Sequence, residues 1–195
     1  MKNILKNSLV IVVMFTTLFA NANSSLRTSK DATKTILTLT NVIKGNELQV
    51  KDAFGVTLYS EMIKDSGDYI KGFDLTELPN GDYYFELIQD SKIKTMPFSV
   101  EANKVTFVKN NELTIFKPVV KLEENLVYIS KLALNEQSLE IEVYFDNDGY
   151  NLLHSETIEG IQDIKRMYKL DETKKGNYKI VTKTDGKTFV EYVSL

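Results

Sequence analysis

When the sequence is slid against itself by 95 positions, residues 58–92 lie on residues 153–187 without a gap. Leu58, Ser60, Glu61, Ile63, Asp68, Leu75, Glu77, Gly81, Tyr83, Asp90 and Lys92 then each meet an identical residue. These identities fall on turn and apolar positions together, as one structural unit used twice would retain them. Upstream the match continues after a small shift. "NELQVKDAFG" (46–55) resembles "LEIEVYFDNDG" (139–149), and "ILTL" (36–39) resembles "ISKL" (129–132). A chain of 195 residues organised this way has length for two similar domains, each with its own core.

Each unit reads as short strands. "ILTLT", "LQVKD" and "LEIEVYF" alternate apolar and polar residues, the signature of a strand with one buried face. Turn residues separate them at Lys44-Gly45-Asn46, Asn80-Gly81, Asp146-Asn147-Asp148-Gly149 and Asp185-Gly186. "IEGIQDIKRMYKL" has some helical spacing, but it aligns with the strand-like "SGDYIKGFDL", so it is assigned as strand. The segment "ANKVTFVKNNELTIFKPVVKLEEN" (102–125) is expected to turn back at Asn110-Asn111 and then connect the units through Pro118, which lacks a ladder N–H and suits a boundary. The organisation expected is a signal peptide at 1–22, a disordered linker at 23–33, one β-sandwich at 34–117 and a second at 118–195. The fold class is all-β, two tandem immunoglobulin-like antiparallel β-sandwiches.

The N-terminus sets the expected address. Lys2 and Lys6 precede a nearly continuous apolar run from Leu9 to Ala20, followed by the small-x-small pattern Ala20-Asn21-Ala22. This is the layout of a cleaved secretory signal peptide, and the run is too short for the roughly 20 residues of a membrane span. Nothing later is apolar enough to span, so the mature chain is expected without a transmembrane segment. Removing residues 1–22 takes Lys2 and Lys6 with it and moves the net charge from −3 to −5. A mildly acidic surface argues against nucleic acid as a partner. With no cysteine, the exported protein has to be held by its cores alone.

"FDLTELPNGDYYFEL" (73–87) and its weaker copy "YKLDETKKGNYKIVT" (168–182) carry the structural corner. In immunoglobulin-like sandwiches a tyrosine just after such a corner bonds back to the upstream backbone, and the position two residues on packs in the core. Gly81, Tyr83 and Phe85 occupy these places in the first unit; Gly176, Tyr178 and Ile180 do so in the second. Leu75 and Leu170 close the core from the preceding strand. "FDLTELPNGDYYFELIQDSKIKTMPFSV" resembles modules of secreted Bacteroidetes proteins, and its Leu-Pro-x-Gly-x-Tyr cadence is similar to the C-terminal sorting domain of type IX secretion cargo. That resemblance implies a seven-stranded β-sandwich and a role in passage across the outer membrane. The terminal copy has Thr173-Lys174-Lys175-Gly176 in place of Leu-Pro-x-Gly.

No constellation for chemistry emerges. His154 is the single histidine and aligns with Tyr59, which makes it a strand residue; with no cysteine, neither a zinc site of the usual type nor a Cys nucleophile can be assembled. There is no Gly-x-Ser-x-Gly elbow and no phosphate-binding glycine loop. "DNDG" (146–149) lacks the ligands of a twelve-residue calcium loop and reads as a hairpin turn. Glu140 and Glu142 share one strand face at a spacing of roughly 7 Å, near the separation of glycosidase acids, but they alternate with core residues and read as an open outer face. Glu123-Glu124 is the other acidic pair. No catalytic residue, metal or cofactor is expected. Tyr59, Tyr84, Tyr128 and Tyr144 are the candidate ligand-facing residues. The function expected is an exported, non-enzymatic interaction or structural module with a protein or polysaccharide partner, the alternatives being secretion cargo ending in a sorting domain, or a carbohydrate-binding module.

Overall fold

In the computed structural model of the protein, residues 24–28, 34–107 and 112–195 are described, the first of these as backbone only. The signal segment 1–22 and the turn expected at Asn110-Asn111 lie outside the described residues. Every regular element among the described residues is a β-strand.

The first sandwich sets β1 (Ser24–Thr28), β2 (Thr35–Val42) and β5 (Gly67–Phe73) against β4 (Thr57–Met62), β3 (Glu47–Asp52), β6 (Gly81–Ile88) and β7 (Lys92–Glu101), in those spatial orders. β8 (Lys104–Phe107) and β9 (Leu113–Phe116) both pair with β7. The second sandwich sets β10 (Val119–Glu123), β11 (Leu126–Leu132) and β14 (Asp163–Lys169) against β13 (Tyr150–Ile158), β12 (Leu139–Asp146), β15 (Asn177–Thr184) and β16 (Lys187–Ser194). All pairs are antiparallel.

The alternation in the sequence places the cores. Leu37 and Leu39 of β2, Leu48 and Val50 of β3, Phe85 and Leu87 of β6, and Met96 and Phe98 of β7 point between the sheets and are almost wholly buried. Val127, Ile129, Ile141, Val143, Ile164, Tyr178 and Ile180 do the same in the second sandwich. Each such aliphatic or aromatic side chain stabilises its sandwich by about 1.5–3 kcal/mol through burial. The two cores share no residue.

Strand pairing shows the repeat at the level of register. Val50 lies opposite Phe85, and Val143 opposite Ile180. A bulge interrupts β3–β4 between Val50 and Lys51, and another interrupts β12–β13 at the equivalent Val143 and Tyr144. Glu61 accepts hydrogen bonds from Tyr59, Tyr69 and Lys71. Its copy Glu156 accepts from Tyr168 and Arg166. Both carboxylates tie an edge strand of one sheet to the edge strand of the other. The Lys71 ammonium, helped by the Tyr59 hydroxyl, pulls the Glu61 carboxyl down to about 2.

Three expectations change. Residues 24–28, expected within a disordered linker, form β1 and pair with β2 along their whole length; the short segment has no alternation to announce it, but it satisfies the outer edge of β2. "ILTL" and "ISKL" align one residue out. Leu37 lies opposite Lys71 and Ile129 opposite Arg166, so Leu37, rather than exposed Ile36, matches Ile129. The hairpin before the connector turns at Ala102 and Asn103, both left-handed, and links β7 to β8; β9 then continues along the same edge of β7. In both sandwiches the fourth strand pairs with the third, β4 with β3 and β13 with β12, so three strands face six in the first sandwich and four in the second.

The corners hold the same backbone bond at the same offset. The Tyr83 hydroxyl donates to the Pro79 carbonyl at 2.8 Å, and the Tyr178 hydroxyl to the Lys174 carbonyl at 2.8 Å. Their glycines differ. Gly176 has φ +153°, and a Cβ there would sit 3.2 Å from Phe145 Cε2. At Gly81 the three atoms nearest an added Cβ all belong to the Tyr83 side chain, the closest at 3.6 Å. Gly176→Ala is therefore expected to cost roughly 1–3 kcal/mol and Gly81→Ala much less, read from the urea midpoints of the two variants; equal shifts would contradict this account.

Candidate functional site

Strand parity decides which side chains reach solvent on the four-stranded sheet of the second sandwich. Ile141, Val143 and Phe145 of β12 face the core, so Glu140, Glu142 and Tyr144 face outwards. Tyr144 lies opposite Lys179 of β15, and Lys179 lies opposite Tyr192 of β16. Tyr150, at the start of β13, completes the group. The Lys179 ammonium stands 4.3 Å from the Tyr144 ring centroid and 4.7 Å from that of Tyr150. Tyr150 and Tyr192 approach to 6.0 Å at an interplanar angle of 53°. A cation over ring faces is stabilised by the ring quadrupole, by about 0.5–1 kcal/mol at an exposed site. The result is a fixed aromatic surface with a positive centre, on which Tyr192 is 64% and Tyr150 39% exposed.

Next to it, Lys183 bridges Glu140 at 3.0 Å and Glu142 at 2.9 Å, and the Tyr144 hydroxyl donates to Glu142 at 3.0 Å. The lysine holds the Glu142 carboxyl below its ordinary range. A general acid needs its pKa raised, the opposite of what Lys183 does to Glu142, and Lys183 of β15 ties both carboxylates of β12 across the strand pair.

The four tyrosines singled out from the sequence do not come together. Tyr59 is half-buried at the sandwich rim, its ring edge-on to Phe73 at 5.4 Å. Tyr84 lies on the outer face of the first sandwich beside Gly55, and Tyr128 on the three-stranded sheet of the second. Tyr144 alone belongs to the cluster. Tyr150 and Tyr192 went unselected; the signal available was their parity with Tyr144, which emerges once β13 and β16 are placed in register.

A second concavity, of about 420 Å3, opens between the sheets of the second sandwich and is lined by Leu153, His154, Met167, Tyr168, Leu170 and Tyr178, among others. In the first sandwich Leu78 packs against the core beside its own corner. Thr173 stands at that position in the second and turns back, its N–H and hydroxyl both donating to Asp171. At the "DNDG" turn the Asn151 amide donates to the carbonyls of Asn147 and Gly149. Among the described residues no three acidic or imidazole groups gather as metal ligands would.

No protein-family model and no curated protein matches the sequence. One solved structure, named "Biofilm associated protein - BSP domain", aligns with 89% of this chain at 12% identity and a TM-score of 0.28. The chain spans 29% of that structure's length. A likeness of that size carries no argument about fold or role.

Proposed function

We propose that this is an exported, non-enzymatic two-sandwich module that works by surface contact with a protein partner outside the cytoplasm. The observation that carries the reading is the outward cluster of Tyr144, Lys179, Tyr150 and Tyr192. Exposed tyrosines around a fixed cation give large, rigid contact area at low entropic cost, which is how protein-binding surfaces concentrate affinity. Export rests on the layout of residues 1–22. The acids nearest the cluster are engaged by Lys183, which supports binding over catalysis there. A polysaccharide platform would favour coplanar rings, and the 53° tilt between Tyr150 and Tyr192 favours a protein surface instead.

The test is site-specific photo-cross-linking on the native host's surface and medium. A cross-linking residue in place of Tyr192 should yield a discrete adduct with one polypeptide, lost when Tyr150 is changed to Ala. The same residue in place of Tyr84 should not yield it. No adduct at Tyr192, together with a tyrosine fluorescence change on adding polysaccharide, would replace this reading with the carbohydrate one.

A further inference from the structure

The two sandwiches treat one equivalent edge differently. In the first, the outer edge of β7 is covered: Ile93 and Thr95 pair with Ile115 and Leu113 of β9, and Ser99 pairs with Thr106 of β8. Between those covers stands Pro97, which has no N–H to leave unpaired. The register against β6 and β15 makes Phe98 equivalent to Val193, so Thr188, Val190, Tyr192 and Ser194 of β16 correspond to Ile93, Thr95, Pro97 and Ser99. Among the described residues nothing pairs with the outer edge of β16. Tyrosine replaces the proline.

The hairpin fixes which groups are free. β15 and β16 join through a two-residue turn at Asp185-Gly186, both left-handed, so Thr184 and Lys187 form its hydrogen-bonded pair. Backbone groups alternate sides along a strand. Those of Lys187, Phe189, Glu191 and Val193 therefore point at β15, and those of Thr188, Val190, Tyr192 and Ser194 point outwards. All four of these outward residues are exposed. An uncovered edge of this kind is a template for another strand.

We propose that a second copy of the chain pairs with this edge, β16 against β16, about a two-fold axis at Val190. This register sets Val190 opposite Val190 and Thr188 opposite Tyr192, each pair exchanging both hydrogen bonds. The charged residues of the strand, Lys187 and Glu191, fall opposite Val193 and Phe189, so no like charges meet. A register moved to centre on Glu191 would oppose the two carboxylates, which disfavours it. On the outer face Val190, 43% exposed, and Tyr192 of each copy then form one continuous apolar stripe. The two four-stranded sheets become a single sheet, with the isologous symmetry commonest among dimers. The pairing uses the backbone edge of β16 and the partner surface uses the rings of Tyr144, Tyr150 and Tyr192, so a homodimer cross-linked at Tyr192 is told from an adduct with another polypeptide by its mass of twice the chain.

The test uses chain 23–195. Sedimentation across the micromolar range should show twice the chain mass. Because the chain has no cysteine, Val190→Cys introduces a single reporter, and opposite Cα atoms in such a pair lie about 5.5 Å apart, within disulfide reach. Val190→Cys should oxidise to a covalent dimer, and Val56→Cys, on the β3–β4 loop of the first sandwich, should not. Tyr192→Pro, the residue that the first sandwich already carries at this position, should keep the fold by circular dichroism and sediment as a monomer. A monomeric wild type, a Tyr192→Pro variant that still dimerises, or a Val190→Cys variant that fails to cross-link would each overturn the proposal.

Discussion

Phe85→Ala should cost the first sandwich roughly 3–5 kcal/mol and leave the second standing. Phe85 has no exposed surface. Its ring lies 5.1 Å from Phe73 across the sandwich and 5.2 Å from Phe98 on the neighbouring strand. It thus joins β5, β6 and β7, and an alanine leaves a void at the meeting point of both sheets that neighbouring strands cannot close without breaking their ladders. Because the two cores have no member in common, calorimetry should show one transition moving down and the other staying near its wild-type temperature. Ile180→Ala is the mirror experiment: it removes the equivalent, fully buried side chain of the second core and should move the other transition by an amount set by roughly 2–5 kcal/mol. If either substitution moved both transitions together, the sandwiches would be one cooperative unit.

The fold was legible wherever chemistry repeats with a period. Alternation in "LEIEVYF" marks β12, and the copied Gly-x-Tyr marks both corners, because a turn and a buried ring constrain residue type directly. Edges and ends were less legible. β1 is the five-residue segment SSLRT, whose sequence carries no apolar alternation to read. Lys131 shows another limit. It pairs opposite Ile164 where Leu39 pairs opposite Tyr69, and it is buried all the same, with Asp185 at 3.8 Å. Burial pushes its pKa down. Spacing puts Lys131 on the core face with Val127 and Ile129, whereas residue type assigns a lysine to the surface. The candidate site was legible only for Tyr144. Which tyrosines share a face depends on the bulge at Val143 and Tyr144 and on the register of β16, and neither is a property of any local stretch.

The same is true of Glu86, which carries the second large effect. Parity puts it on the outer face of β6, yet its side chain is 2% exposed. Lys51 of β3 reaches one carboxylate oxygen at 2.9 Å, and Lys187, the first residue of β16 in the other sandwich, reaches the second. Burial raises the carboxyl pKa, but the Lys187 and Lys51 ammonium groups outweigh it, and the net shift is downward from 4.5. A carboxyl whose folded pKa is depressed contributes stability above its unfolded value and loses it as pH falls through the folded one. The contact between the sandwiches should therefore hold at neutral pH and weaken only once the pH falls below the ordinary carboxyl value of 4.5. Replacing Lys51 and Lys187 together by alanine leaves a buried carboxylate without a cation, at an expected cost of about 3–5 kcal/mol at pH 7; either single replacement costs less, because one lysine remains. The sign of the pH dependence should also invert. Without its lysines the Glu86 pKa rises above 4.5, and the double variant should then gain stability as pH falls from 7 to 5, a range over which this group leaves the wild type unchanged. Melting temperatures of the two proteins at pH 7 and pH 5 decide it. A double variant that melts with the wild type at both values would mean that Glu86 is solvated and that Lys187 does not join the sandwiches.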